Sequence, residues 1–253
     1  MTKIMIELRR SPRTLLERDG HPGPGAGHLA LVMARAGVGK TAFLVGIGID
    51  ALLSGQKVLH ISLERTVDKI RDWYNDLLVE MLRREKKLEH RAAIQLETER
   101  LRHIHTYVGR SFSAERMREA LDLLRDAMDF VPEVIILDRM EMEGFDPAII
   151  EAAKTMAGEI GAELWMACRT HRDGPAAVEG HLPPPADRFE DLVDTAFRLD
   201  PQDAKVRLHV AKDRNKMLAQ DLNVVLDPRT LLLETGIGVK RQDCGVRILN
   251  FEF

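Results

Sequence analysis

Ala34-Arg35-Ala36-Gly37-Val38-Gly39-Lys40-Thr41 is the stretch that decides the reading of this chain. It has the form of a phosphate-binding loop: a small residue, four intervening positions, then Gly-Lys-Thr. Gly37 and Gly39 allow backbone conformations that turn successive N–H groups inward, which makes a concave anion site. Lys40 places a cation at the β- and γ-phosphates, and the Thr41 hydroxyl can ligate Mg²⁺. A helix that starts here aims its positive N-terminal end at the same phosphates. Arg35, Ala36, Gly37, Val38, Gly39, Lys40 and Thr41 therefore form the candidate nucleotide-binding set. Ala34 stands where glycine is commoner, but the position requires only a small side chain.

The flanking residues fit that loop. His28-Leu29-Ala30-Leu31-Val32-Met33 is short, apolar and preceded by Gly/Pro punctuation, as a buried strand would be. Thr41 to Leu53 is apolar nearly all round, which predicts a buried helix, and Ser54-Gly55 supplies its stop.

Beyond the helix, strands and helices alternate. Lys57–Leu63 reads as the second strand. Ile70, Trp73, Tyr74, Leu77, Leu78, Met81 and Leu82 then recur at helical steps. From Arg83 to Arg100 the pattern becomes charged, so about 68–102 reads as a projecting helical excursion. Its Arg83-Arg84-Glu85-Lys86-Lys87 run suits either contact with a polyanion or a solvated face with offsetting acids. His103–Val108 reads as a third strand. Ser113 looks like an N-cap for a helix over Ala114–Asp129, with Phe112 and Met117 as its staple. Val134-Ile135-Ile136-Leu137-Asp138 is a buried strand, Asp146-Pro147 opens a helix that ends at Gly161, and Glu163–Cys168 is the next strand. This order predicts an α/β fold: a mainly parallel sheet with helices on both faces. Thr195–Leu199, Lys205–Lys212, Leu222–Leu226 and Leu231–Leu233 read as an antiparallel C-terminal extension. A Gly/Pro-rich stretch over about 172–187 reads as a mobile loop.

Composition sets outer bounds. The chain has 253 residues, enough for one full core, and only 5% aromatics, so that core is mostly aliphatic. A net charge of -3 with 30% charged residues gives no overall basic bias of the kind common among nucleic-acid-binding proteins. Cys168 and Cys244 are the only cysteines, too few for a zinc site or a disulfide framework, and they suit a reducing compartment. Met1–Pro12 lacks the apolar core of a signal peptide, and no apolar run is long enough to span a membrane. The expected location is the cytoplasm, with no membrane partner.

Two carboxylates complete the candidate chemistry. Asp138 ends an apolar strand at the edge where ligands bind in open parallel sheets, so it can hold Mg²⁺ together with Thr41. Glu64, in Ser62-Leu63-Glu64-Arg65, ends the second strand at the same edge. It either orients the attacking water or is a first-turn glutamate favoured by a helix dipole.

In this order the motifs resemble the RecA-like P-loop ATPases, especially the ATPase domain of DnaB-type hexameric helicases and their RadA- and KaiC-like relatives. The resemblance runs from about Gly25 to Glu234. It implies one RecA-like ATPase domain over 1–253 that binds ATP and Mg²⁺ and hydrolyses ATP. In that family the catalytic glutamate follows the second strand in a Ser-Leu-Glu context, which implies Glu64 as the base. A polar sensor stands at the tip of the strand after the Mg²⁺ aspartate; here Ala167-Cys168-Arg169-Thr170-His171-Arg172 occupies that place, with Arg169 or His171 as the sensor or as a solvated strand end. A Lys-x-Arg-Asn element in DnaB-type rings reaches the neighbouring subunit's ATP site, and Lys212-Asp213-Arg214-Asn215 matches it. That match implies Lys212 and Arg214 acting in trans within a homo-oligomer, the plain alternative being a charged hairpin corner.

The chain departs from the helicases in having no N-terminal collar domain and no basic cluster over Gly144–Pro147. An oligomeric ATPase driving a switch or assembly is thus favoured over a DNA-translocating helicase or recombinase. A nucleotide-dependent interaction module with little turnover fits the intact Lys40, Thr41, Glu64 and Asp138 set less well. Single-stranded DNA and a protein client stay open as partners.

Overall fold

The computed structural model describes residues 3–9, 13, 23–107, 111–140, 146–170, 180–202, 205–214, 216–227, 230, 232–235 and 246–252. Strand β1 (Lys3–Arg9) pairs antiparallel with β11 (Val246–Glu252) in a two-stranded sheet of their own. Sequence reading had no signal for either strand. The remaining strands are β2 (Leu29–Ala34), β3 (Val58–Ser62), β4 (Arg102–Thr106), β5 (Val134–Asp138), β6 (Glu163–Arg169), β7 (Thr195–Gln202), β8 (Lys205–Asp213), β9 (Lys216–Leu226) and β10 (Leu233–Thr235). They form one nine-stranded sheet in the order β10-β9-β8-β7-β2-β6-β5-β3-β4. From β7 to β4 every pairing is parallel, and from β7 to β10 every pairing is antiparallel. The expected α/β sheet with an antiparallel C-terminal extension is therefore present.

Strand β2 is buried along its whole length because the sheet is covered on both faces. Its alternate residues feed two different cores. Ala30, Val32 and Ala34 join the core beneath α1 (Lys40–Leu53) and α2 (Val67–Arg84). Leu29, Leu31 and Met33 join the core beneath α4 (Ala114–Met128) and α5 (Pro147–Glu159). Phe43, Trp165 and Phe197 cluster in the first core, with the Trp165 and Phe197 rings stacked at 6.1 Å.

Local signals act as their chemistry dictates. The Ser113 hydroxyl accepts from the Arg116 N–H, and Asp146 caps α5 with Pro147 in the first turn. The 68–102 segment does not project. Ile70, Tyr74, Leu77, Leu78 and Leu82 of α2 and Ile94 of α3 (Arg91–Arg100) are buried in the core that α1 shares. The charges are confined to the outer faces: Arg83 pairs with Glu80, Arg84 with Glu234 at 3.3 Å, and Arg100 with Glu97 at 3.1 Å. Of the expected mobile loop, 172–179 lies outside the described residues. Its end is anchored, since Leu182 and Ala186 are buried and the Leu182 N–H donates to Glu190 at 2.6 Å. Val108, Leu231 and Cys244 also lie outside the described residues, and Cys168 is buried. Among the described residues no helix is long and apolar enough to cross a membrane.

Candidate functional site

Because β2, β3, β5 and β6 are parallel, their last residues Ala34, Ser62, Asp138 and Arg169 lie along one edge of the sheet. The loop from Ala34 to α1 rises from that edge. Gly37 has φ +75°, with open space where a Cβ would stand, and Gly39 has φ +114°. Both conformations are ones L side chains rarely adopt. A Cβ on Gly39 would also lie 2.9 Å from Leu226 Cδ2, so the end of β9 packs against the loop. Sequence reading did not connect Leu226 with the loop, because nothing local to either segment encodes that approach. Helix α1 begins at Lys40 with no side-chain cap and no acidic residue in its first turn. Its N-terminal N–H groups thus have neither a capping side chain nor an acid of their own first turn to satisfy them.

Lys40 folds back over this loop. Its Nζ donates to the carbonyls of Ala34 at 2.7 Å and Arg35 at 2.8 Å. Burial lowers its pKa to about 8; Asp138 opposes that shift, and the cations Arg139 and Arg169 add to it. The ammonium is thus held among carbonyl oxygens that a stronger anion could replace.

Thr41 and Asp138 meet behind the loop. Thr41 Oγ1 donates to Asp138 Oδ2 at 3.0 Å, and both residues are buried. Burial pushes the Asp138 carboxyl above its ordinary value, while the Thr41 hydrogen bond, the Arg139 charge and the Arg139 N–H hold it down. Among the described residues no three His, Cys, Asp or Glu side chains gather into a metal cluster. A hydroxyl beside a desolvated carboxylate fits a hard cation that takes its other ligands from water and phosphate.

Glu64, just beyond β3, is exposed and reaches across to β5. Arg139 Nη1 donates to Glu64 Oε2 at 2.9 Å. Arg139 was missed in the sequence. The available signal was its place directly after the strand-end Asp138, a basic residue delivered to the same edge. Arg169 ends β6 opposite Ala34 and is exposed; the next residue, Thr170, donates its N–H to the Ala34 carbonyl at 3.0 Å. His171, the other sensor candidate, lies outside the described residues.

Lys212 and Arg214 are at the opposite edge. Strand β8 runs antiparallel, so Asp213 pairs with Thr195 and Thr195 with Ala30, near the start of β2. They are separated from the loop by a strand length, on the order of 15 Å. Lys212 is buried, and its Nζ donates to the Glu190 carbonyl at 2.6 Å. Arg214 is exposed, with φ +52°, and its N–H donates to the Asp194 carbonyl at 2.5 Å. Asn215 lies outside the described residues.

Fold and site together define an α/β protein with a glycine loop, a lysine and a hydroxyl–carboxylate pair at the carboxyl edge of a parallel sheet. No protein-family model matches the chain, and no curated protein matches it in sequence.

Proposed function

We propose that this chain is a Mg²⁺-dependent, ATP-binding and ATP-hydrolysing enzyme of the RecA-like P-loop kind, working as a homo-oligomer. The observation that carries the reading is the 3.0 Å hydrogen bond from Thr41 Oγ1 to Asp138 Oδ2 behind the Gly37–Gly39 loop. Thr41 and Asp138 would hold Mg²⁺, which when bound neutralises charge on the β- and γ-phosphate oxygens. Lys40 exchanges the Ala34 and Arg35 carbonyls for phosphate oxygens, and the uncapped start of α1 adds N–H donors. Glu64 accepts a proton from the attacking water, and Arg169 adds positive charge at the tip of the neighbouring strand.

The far position of Lys212 and Arg214 supports the oligomeric part of the reading. Neither can reach its own chain's loop, so any role in phosphate chemistry needs a second chain. Arg214, being exposed, is the better placed of the two.

ATP binding by calorimetry and turnover by phosphate release test the proposal. Lys40→Ala should lose nucleotide affinity. Glu64→Gln should still bind nucleotide and lose about a hundredfold or more in turnover. Equal affinity in Lys40→Ala and the parent, or parental turnover in Glu64→Gln, would refute the corresponding role.

A further inference from the structure

Arg139 leaves β5 in a left-handed conformation, φ +67°, which a side chain with a Cβ disfavours. Such a conformation persists where its surroundings dictate it. On one side Asp138 is locked into the sheet and its carbonyl accepts from the Leu63 N–H at 3.2 Å. On the other side Met140 is buried. The turn between these two anchors sets where the guanidinium stands, and there it meets Glu64 at 2.9 Å. The Arg139 charge also acts at Lys40 and Asp138, so it belongs to the same electrostatic site.

We propose that Arg139 is a nucleotide-responsive latch on Glu64. This rests on the ATPase reading and adds its regulation. Without nucleotide, the guanidinium holds the Glu64 carboxylate in an ion pair and keeps it from water chemistry. A terminal phosphate presented by Lys40 carries more charge than a carboxylate and draws the guanidinium away. Glu64 is then released only when a triphosphate is in place. The pair suits this exchange because it is weak: the Glu64 and Arg139 side chains are 57% and 33% exposed, and exposed pairs are readily traded for a better partner. Arg139 is here a positioning residue for Glu64. A diphosphate, lacking the terminal group, leaves the latch closed.

Affinities for Mg²⁺ with a non-hydrolysable ATP analogue, and for Mg²⁺ with ADP, test the latch by calorimetry. Glu64→Gln frees Arg139 from its ion pair, so analogue affinity should rise about two- to fivefold. Arg139→Gln should lose about tenfold in analogue affinity. Neither variant should change ADP affinity. In the double variant the gain from Glu64→Gln should vanish, because no guanidinium remains to be released. Arg139→Lys should retain part of the gain. Arg139→Gly relieves the left-handed backbone and should reproduce the loss in a protein at least as stable as the parent. A Glu64→Gln gain that persists without Arg139, or ADP affinities that move in parallel, would overturn the latch and leave the ATPase reading standing. A parent protein that binds neither nucleotide would overturn both.

Discussion

Thr41 and Asp138 stand 97 positions apart in the chain, yet the Thr41 hydroxyl donates to the Asp138 carboxylate at 3.0 Å. One opens α1 and the other ends β5. Strand β6 lies between β2 and β5 in the sheet, so α1 must pass over β6 for the two side chains to meet. The pair shields a carboxylate that burial would otherwise strongly disfavour.

Lys40 should make nucleotide binding pH-dependent. Its pKa is lowered from 10.5 to about 8 by burial. Between those values the unfolded chain holds the extra proton, so this group's contribution to stability rises with pH across that window. Phosphate binding favours the charged form, which gives the opposite trend for affinity. Affinity for Mg²⁺-ATP should fall about tenfold between about pH 7 and about pH 9, with proton uptake near the middle of that range. Calorimetry in buffers of different ionisation enthalpy measures both effects. Lys40→Met should show neither.

Asp138→Asn should separate stability from metal dependence. The carboxyl's raised pKa means the folded state takes up its proton more readily than the unfolded chain. The penalty of its charge therefore grows as pH rises from 3.8 toward the raised folded value. Removing the charge should raise the metal-free melting temperature at neutral pH by about 2–4 °C. Stabilisation by added Mg²⁺ with nucleotide should shrink at the same time. Thermal melts with and without Mg²⁺ report both.

Gly48→Ala should destabilise the protein, against the helix-propensity rule. A Cβ at Gly48 would collide with the Tyr74 hydroxyl and lie 3.0 Å from two of its ring carbons. Tyr74 cannot yield freely: it is bonded to His60 Nδ1 at 3.1 Å, and Arg102 lies over its ring at 4.5 Å. Propensity alone favours alanine by about 1 kcal/mol, whereas overpacking costs about 1–3 kcal/mol. Denaturant unfolding should show a net loss, with nucleotide affinity unchanged in the folded protein.

Lys212 and Arg214 should respond differently to truncation. Lys212→Ala removes one of two donors to the Glu190 carbonyl, which keeps the Val193 N–H at 3.1 Å, and should lower stability by about 0.5–1.5 kcal/mol. Arg214→Ala should unfold at the parent's midpoint, bind ATP and lose turnover. Turnover per chain in the parent should rise with concentration through the assembly range. Mixing Arg214→Ala with Glu64→Gln chains should restore part of the activity. Constant turnover per chain down to a proven monomer, with no rescue on mixing, would make Arg214 an ordinary surface charge.

What the sequence determined by itself was local. The glycines and lysine of Ala34–Thr41, the caps at Ser113 and Asp146, and the apolar runs of β2, β3, β5 and β6 are set by residues a few positions apart. Their conformations follow from backbone sterics, capping and burial, so alternation alone implied the parallel sheet and the edge carrying Lys40, Glu64, Asp138 and Arg169. Only the tertiary structure decided which of these groups touch. The Glu64–Arg139 pair depends on β3 and β5 being neighbours and on a left-handed turn after Asp138. The Leu226 contact at Gly39 depends on where the antiparallel extension ends. The charged 68–102 segment hid its fold for the same reason: its few apolar residues identify a core face only once α1 is present to cover them. Strands β1 and β11 pair from opposite ends of the chain, and Lys212 and Arg214 stand a strand length from the loop because β8 runs antiparallel. Contacts between distant segments depend on strand order and direction, and no short stretch of sequence encodes either.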